Sequence, residues 1–470
     1  MREFDLNIER VLEDWTVAHA IREIIANALD EAALTGTREP QIRKDGDGPW
    51  HVRDWGRGLE YEHLTQNESA EKQANIDRVI GKFGVGLKDA LAVFDRHHVG
   101  VRFRSRHSDI ETGLRPKHGF DDLRTLHALI ADPSDSSFVG TDVVLSGVSD
   151  NDVAEAKQLF LKFSGDKVLE TTPFGQVLRR RTRSGRIYVN GLRVAEEANY
   201  LFSYNITSPT ASLRRALNRE RTNVGRTAYT DRVKAILLAA TTGDVANVLA
   251  KDLARFEAGT WHDETQLTEV ALHACAVLNA IEKVLFVSSF DAFYARDFID
   301  RARADGHRVI VVPQNIASKL GGMRDIQGKP IVDIGEYRRQ WTDSFVFDFV
   351  TPDGMTGAER EVFDRTKEIL GLRGGRPRGV KRVLVSNTMR LRAEGYTEAR
   401  GLWDPQTGNI VIKRSELRSL DAYAGTLLHE ATHVISDAGD ISEEFEDALT
   451  VELGRIASSV LTRLSHRTRT

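Results

Sequence analysis

Residues 21–32, IREIIANALDEA, decide how the first third of the chain is read. Ile21, Ile25 and Leu29 continue a three- and four-residue apolar spacing begun by Val11, Trp15 and Ala18, the pattern of an amphipathic helix over residues 1–35. Glu23, Asn27 and Asp30 stand at i, i+4 and i+7, so they share one helical face. Three polar side chains on the otherwise apolar face of a half-buried helix are costly unless something binds them. Nucleotide chemistry supplies a reason. A carboxylate orients or deprotonates an attacking water, and an amide oxygen ligates a hard magnesium ion that also takes phosphate oxygens.

Three further pieces lie downstream. An apolar strand, Trp50–Arg53, runs into the turn Asp54-Trp55-Gly56-Arg57-Gly58. A carboxylate at a strand end accepts a hydrogen bond from an exocyclic amine, and Gly56 and Gly58 let the backbone approach a flat ring. Next, GKFGVGLKDAL (81–91) puts Gly81, Lys82, Gly84, Val85, Gly86 and Lys88 just before or within the start of a helix, where backbone amides make an anion site for phosphates. Last, Gly140-Thr141 opens a strand. The polar segment Tyr61–Asp77 between these pieces reads as a mobile lid.

In this order and spacing the four pieces resemble the N box, the two G boxes and the final Gly-Thr of the GHKL superfamily. That group includes gyrase B subunits, heat-shock 90 chaperones, MutL proteins and sensor histidine kinases. GKFGVGLKDAL looks most like the chaperone branch. The resemblance covers about residues 10–150 and implies a two-layer α/β sandwich that binds ATP and often dimerises when it does. It implies Glu23 as general base, Asn27 as the Mg2+ ligand and Asp30 in support. Asp54, with Thr141 beside it, would contact adenine. The glycine loop with Lys82 and Lys88 would hold the phosphates. A basic residue from a following domain is also implied, with Arg219 or Arg221 as candidates. No phospho-acceptor histidine segment stands out, which favours hydrolysis over phosphotransfer.

A second constellation lies near the C-terminus, in LLHEATHVI (427–435). His429 and His433 at i and i+4 share a helical face, which suits Zn2+ at ~2.0–2.1 Å from each ring nitrogen. Glu430 between them is placed as general base. GNIVIK (408–413) reads as an upstream edge strand for an extended peptide substrate. A helix from Ser442 offers Glu446, on a face with Leu449 and Leu453, as third ligand, and Glu443 one turn earlier as the alternative. Asp440 is placed to orient a ligand histidine. The stretch resembles gluzincin metallopeptidases over about residues 400–460, with a shorter gap before the third ligand than many of them have.

The rest of the chain frames these two sites. Its 470 residues allow roughly two to four domains. Three are expected, all within an α/β (α+β) class: a GHKL-like domain at 1–165, a mixed transducer-like region at 166–280 and a zincin-like α+β domain at 281–470. Asn190-Gly191 signals a hairpin with a type I′ turn. A strand–helix–strand piece is expected from Val284–Val287 to Val309–Val312, and a linker at Gly371–Gly379. A net charge of −4 neither favours nor excludes nucleic acid as a partner. The basic run from Arg179 to Arg186 lacks interleaved aromatics and reads as a solvated strand edge. Cys275 is the only cysteine, so disulfide and cysteine-zinc frameworks are excluded. With no signal-peptide core and no stretch of about 18 apolar residues, a cytoplasmic protein with no membrane span is expected. The function implied is ATP binding and hydrolysis gating a zinc peptidase that acts on protein or peptide. The alternative is an ATP-driven clamp carrying an inactive hydrolase fold.

Overall fold

The apolar stripe read at residues 21–32 becomes the buried side of helix α1 (Val17–Thr35), closed by Gly36 in the left-handed conformation. The structure is a computed structural model that describes residues 2–8, 13–64, 71–72, 75, 79–80, 85–117, 120–219, 224–259, 261–392 and 396–467. Helix α2 (Val85–Arg96) packs beside α1, and Ile21, Ile25, Leu91 and Phe94 are all almost completely buried between the two helices and a sheet. Burying each such side chain contributes roughly 1.5–3 kcal/mol.

That sheet has seven antiparallel strands in the order β1-β6-β5-β4-β7-β3-β2. They are β1 (Arg2–Asp5), β2 (Gln41–Lys44), β3 (Trp50–Arg53), β4 (Gly100–Ser105), β5 (Asp109–Lys117), β6 (Phe120–Ala131) and β7 (Thr141–Ser146). Residues 1–35 are therefore not all helical. Strand β1 forms one edge of the sheet, where Arg2 faces Ile130 and Asp5 faces His127 on β6. The inward residues Val52, Val101, Phe103 and Val143 join the helical core, as the two-residue period of a one-sided sheet requires. Within the stretch expected as a lid, Tyr61–Leu64 forms a short 3-10 turn and Leu64 is buried, while 65–70, 73–74 and 76–78 lie outside the described residues.

A five-stranded sheet follows in the same compact unit, in the order β11-β10-β12-β9-β8. Its strands are β8 (Val168–Thr172), β9 (Gly175–Leu178), β10 (Gly185–Val189), β11 (Leu192–Glu197) and β12 (Ser203–Ile206). Asn190 and Gly191 join β10 to β11 with φ of 48° and 82°, the two positive values that a type I′ turn demands. Helices between 211 and 281 complete this core.

Contacts divide the chain into Met1–Leu278 and Asn279–Thr470. In the second unit, β13 (Val284–Val287) and β14 (Arg308–Val311) pair in parallel across intervening helices. A four-stranded sheet has the order β15-β16-β18-β17, from β15 (Phe349–Val350), β16 (Arg382–Ser386), β17 (Gly401–Asp404) and β18 (Asn409–Lys413). Helices α3 (Leu420–Ser436) and α4 (Glu443–Arg467) end the unit. The fold class is mixed α/β, as expected. Among the described residues no single helix is long and apolar enough to cross a membrane.

One ion pair anchors α4. Arg373 Nε donates to Glu452 Oε2 at 2.8 Å, with both side chains 6% exposed. Arg455 also reaches Glu452, so removing Arg373 leaves that buried carboxylate half-compensated. Arg373→Ala is expected to destabilise the second unit by about 3 kcal/mol, read as a lower urea midpoint for its unfolding transition.

Candidate functional sites

The first site is a cavity of about 170 Å³ in the N-terminal unit, bounded by α1 and the ends of β3 and β7. Asn27, Asp54, Gly58, Lys72 and Thr141 all line it. Asp54 follows β3, where its Oδ1 accepts from the Gly56 N–H at 2.9 Å and the Thr141 N–H at 3.2 Å. Burial pushes the Asp54 carboxyl up from its ordinary value, and those two amides oppose the rise. Gly140 makes this junction possible. Its φ is +78°, and a Cβ there would stand 2.3 Å from the Asp54 carbonyl oxygen. The close backbone packing at Gly140 thus fixes a buried carboxylate in the cavity wall, an acceptor that fits an exocyclic amine.

The three polar residues of α1 have different surroundings. Glu23 accepts from its neighbour Arg22 at 2.6 Å. Arg22 is completely buried and lies 4.7 Å from the Trp15 ring centre. Asp30 is 1% exposed. Its Oδ1 accepts from the Ile80 N–H at 2.6 Å, and its Oδ2 accepts from Lys72 Nζ at 2.8 Å. The same ammonium donates to Asn27 Oδ1 at 2.9 Å. The Asn27 amide oxygen expected to ligate magnesium and the Asp30 carboxylate expected to support it are therefore held around a cation. An oxygen donor set of this kind fits a hard divalent ion. Arg57 bridges Glu31 on α1 to Glu71, at 2.8 and 3.0 Å. Burial works to raise the Glu31 carboxyl, and the Arg57 hydrogen bonds outweigh it and hold it low.

Gly81, Lys82 and Gly84 lie outside the described residues, as do Arg221 and the side chains of Val85 and Arg219. Gly86 and Lys88 fall in the opening of α2. Glu23, Gly56, Gly86 and Lys88 are not among the cavity-lining residues. Sequence reading misses Lys72 and Arg57 in the cavity wall and Arg22 beside Glu23. Lys72 carries no local signal, because its role depends on a return of the chain over α1 that no spacing encodes.

The second site is built on α3, in the other unit. His429 Nε2 and His433 Nε2 each lie 2.8 Å from Asp440 Oδ1 and 3.2 Å from one another. Two ligand atoms about 2.1 Å from a tetrahedral zinc ion lie about 3.4 Å apart, close to the spacing of the two nitrogens. His433 Nδ1 is 2.8 Å from the Ala438 carbonyl, an acceptor only, so Nδ1 carries the hydrogen. A neutral His433 then turns its Nε2 lone pair toward Asp440, and the cluster needs a proton or a cation at its centre. The donor set fits zinc.

The third member is Asp440 rather than Glu446. Asp437 turns left-handed at φ 49° and ends α3, and the short loop after it carries Asp440 back to the histidines. Helix α4 turns Phe445 inward, stacked on His433 with ring centres 4.2 Å apart. That rotation leaves Glu446, Glu443 and Leu453 exposed. The strand facing the site also differs from expectation. Asn409–Lys413 is interior, between β16 and β17, and the sheet edge is β17.

Glu430 is 6% exposed. Burial pushes its carboxyl up to about 7, and Asp440 adds to the rise against the opposing pull of His433 and the Trp403 N–H. It fits because residue 401 is glycine: a Cβ there would stand 2.6 Å from Glu430 Cγ.

A protein family described as the Mycoplasma pneumoniae MPN635 N-terminal domain matches residues 151–243. A Mycoplasma pneumoniae protein described as uncharacterized is 39% identical over 241 residues, 50% of this chain and 97% of its own length. This chain belongs to that protein's family. A second uncharacterized protein of the same organism is 23% identical over 330 residues, 66% of this chain and 93% of its own. The 151–243 match spans the five-stranded sheet and includes the candidates Arg219 and Arg221, but none of the residues that the structure brings together at either site.

The Asp54–Thr141 junction yields a direct test. Gly140→Ala is expected to lower the stability of the first unit by about 2–4 kcal/mol, combining a clash with a strained positive φ. A urea midpoint unchanged from the parent would mean that the junction relaxes freely.

Proposed function

We propose that the chain is a nucleotide-controlled hydrolase, with an ATP site of GHKL type in its first unit and a zinc peptidase centre in its second. The observation that carries the reading is the convergence of His429, His433 and Asp440 on one point, with buried Glu430 on the same helix. Zinc held there would polarise a peptide carbonyl and make bound water more acidic. Glu430 takes a proton from the attacking water and returns it to the leaving amine. The Ala438 carbonyl fixes the His433 imidazole in the ligating orientation, and Asp440 completes the ligand set. Phe445 closes the cluster from one side.

The first site supports the controlling half of the reading. Asp54 accepts a hydrogen bond from the adenine amine, held in place by the Gly56 and Thr141 amides. Asn27 supplies an amide oxygen for magnesium and Asp30 a fixed carboxylate behind it. Glu23, oriented by Arg22, activates water at the terminal phosphate. Control by nucleotide is motivated by two such sites on one chain, since a stand-alone peptidase needs no first site.

The purified full chain is expected to carry about one zinc per chain by metal analysis. Asp440→Ala weakens zinc retention by more than the about 10–100-fold typical of losing an outer-shell partner, while Glu446→Ala leaves it unchanged. Glu430→Gln keeps the metal and slows peptide cleavage by about 10²–10⁴-fold. A zinc-free protein overturns the peptidase half. Cleavage that is equal with ATP, with ADP and with neither overturns the control.

A further inference from the structure

The cation at the oxygens of Asn27 and Asp30 belongs to the chain itself. Lys72 Nζ lies 2.9 Å from Asn27 Oδ1 and 2.8 Å from Asp30 Oδ2, and its side chain is only 17% exposed. Asp30 is nearly inaccessible, and its other oxygen is fixed by the Ile80 N–H. An ionised carboxylate in that position needs a positive charge close by. A hard divalent cation seeks the same kind of oxygens, at about 2.1 Å for magnesium. A divalent ion taken by Asn27 Oδ1 in front of Asp30 would stand within a few ångströms of the Lys72 ammonium, and two cations that close repel one another.

We propose that Lys72 is the built-in counter-ion of the nucleotide site, and that magnesium–nucleotide binding displaces its ammonium from Asn27 and Asp30. The inference rests on the nucleotide reading of this cavity and adds to it a residue that sets its metal dependence. Charge accounts for the exchange. The ammonium offers one positive charge where the divalent ion offers two, so a triphosphate brings in the better competitor and takes up the extra charge on its own oxygens. The residue before Lys72 is also held, since Glu71 meets Arg57, which in turn meets Glu31 on α1. Displacing Lys72 therefore loosens one of two links of opposite sign that hold Glu71 and Lys72 against α1. Lys72 is a positioning residue in this account: it acts through Asn27 and Asp30 and competes with the metal rather than with the nucleotide base.

The experiment measures acetylation of Lys72 by a water-soluble reagent, read by mass spectrometry on the full chain. It is run in three states: protein alone, ATP with EDTA, and ATP with magnesium, with calorimetry reporting nucleotide binding in each. Magnesium with ATP is expected to raise Lys72 reactivity at least about fivefold over ATP with EDTA, the low end of ordinary site-to-site coupling. Lys72→Met is expected to lower the magnesium concentration that half-saturates nucleotide binding by about tenfold, and Lys72→Arg to restore it. Bound nucleotide with unchanged Lys72 reactivity overturns the inference and leaves the nucleotide site standing. No nucleotide binding in any state overturns both. If Lys72→Met fails to fold, the labelling of the parent chain decides alone.

Discussion

A carboxylate withdrawn from water must have fixed donors or a cation beside it, and this constraint governs both sites. Asp30 has an ammonium and one backbone amide. Asp54 relies on two backbone amides. Glu430 has one amide and a neighbouring imidazole, and burial leaves its carboxyl near 7. The three solutions grade from full compensation to partial. The less a carboxylate is compensated, the more readily it exchanges protons, which is the property the proposed role of Glu430 calls for.

The backbone makes these arrangements possible at two glycines. Gly140 lets β7 start against the carbonyl of Asp54, and Gly401 lets Glu430 lie against the edge strand β17. At Gly401 a side chain would fill the space in which the acid is held, and at Gly140 it would drive apart the backbone segments that fix the acid's position. The rigid parts of each unit, the helices and sheets, set the direction of approach, and the missing Cβ sets its depth. Such junctions are sensitive because tightly packed interiors do not yield by an ångström without cost.

Much of this is legible in local sequence, for a physical reason. Helix α1 announces itself through apolar spacing, and Glu23, Asn27 and Asp30 fall on one face because i, i+4 and i+7 leave no other choice. Asp54 and Thr141 are legible as a strand end and a strand start, and the structure joins them by hydrogen bonds. The turn at Asn190-Gly191 follows from backbone conformation alone. What local spacing does not carry is any return of the chain from a distance. Lys72 reaches Asp30 across 42 positions, and β1 finds β6 across more than a hundred. The hairpin of β5 and β6 also goes unread, since its exposed residues break the alternation that marks a half-buried strand.

The third member of the His429–His433 cluster shows where helical reasoning needs one more piece of information. Counting along α4 gives the residues that share a face, but not which face turns inward. Phe445 settles that rotation, because an aromatic ring gains more from burial against His433 than a carboxylate does. With Phe445 inward, Glu452 seven residues on also turns inward and meets Arg373. The inward acid of α4 is thereby committed to an ion pair, and Glu446 is left at the surface. The acid for the histidines comes instead from the loop that the left-handed Asp437 starts. A loop acid approaches two helical imidazoles without fixing the rotation of a second helix, which is why the short gap after His433 is compatible with a complete three-residue cluster.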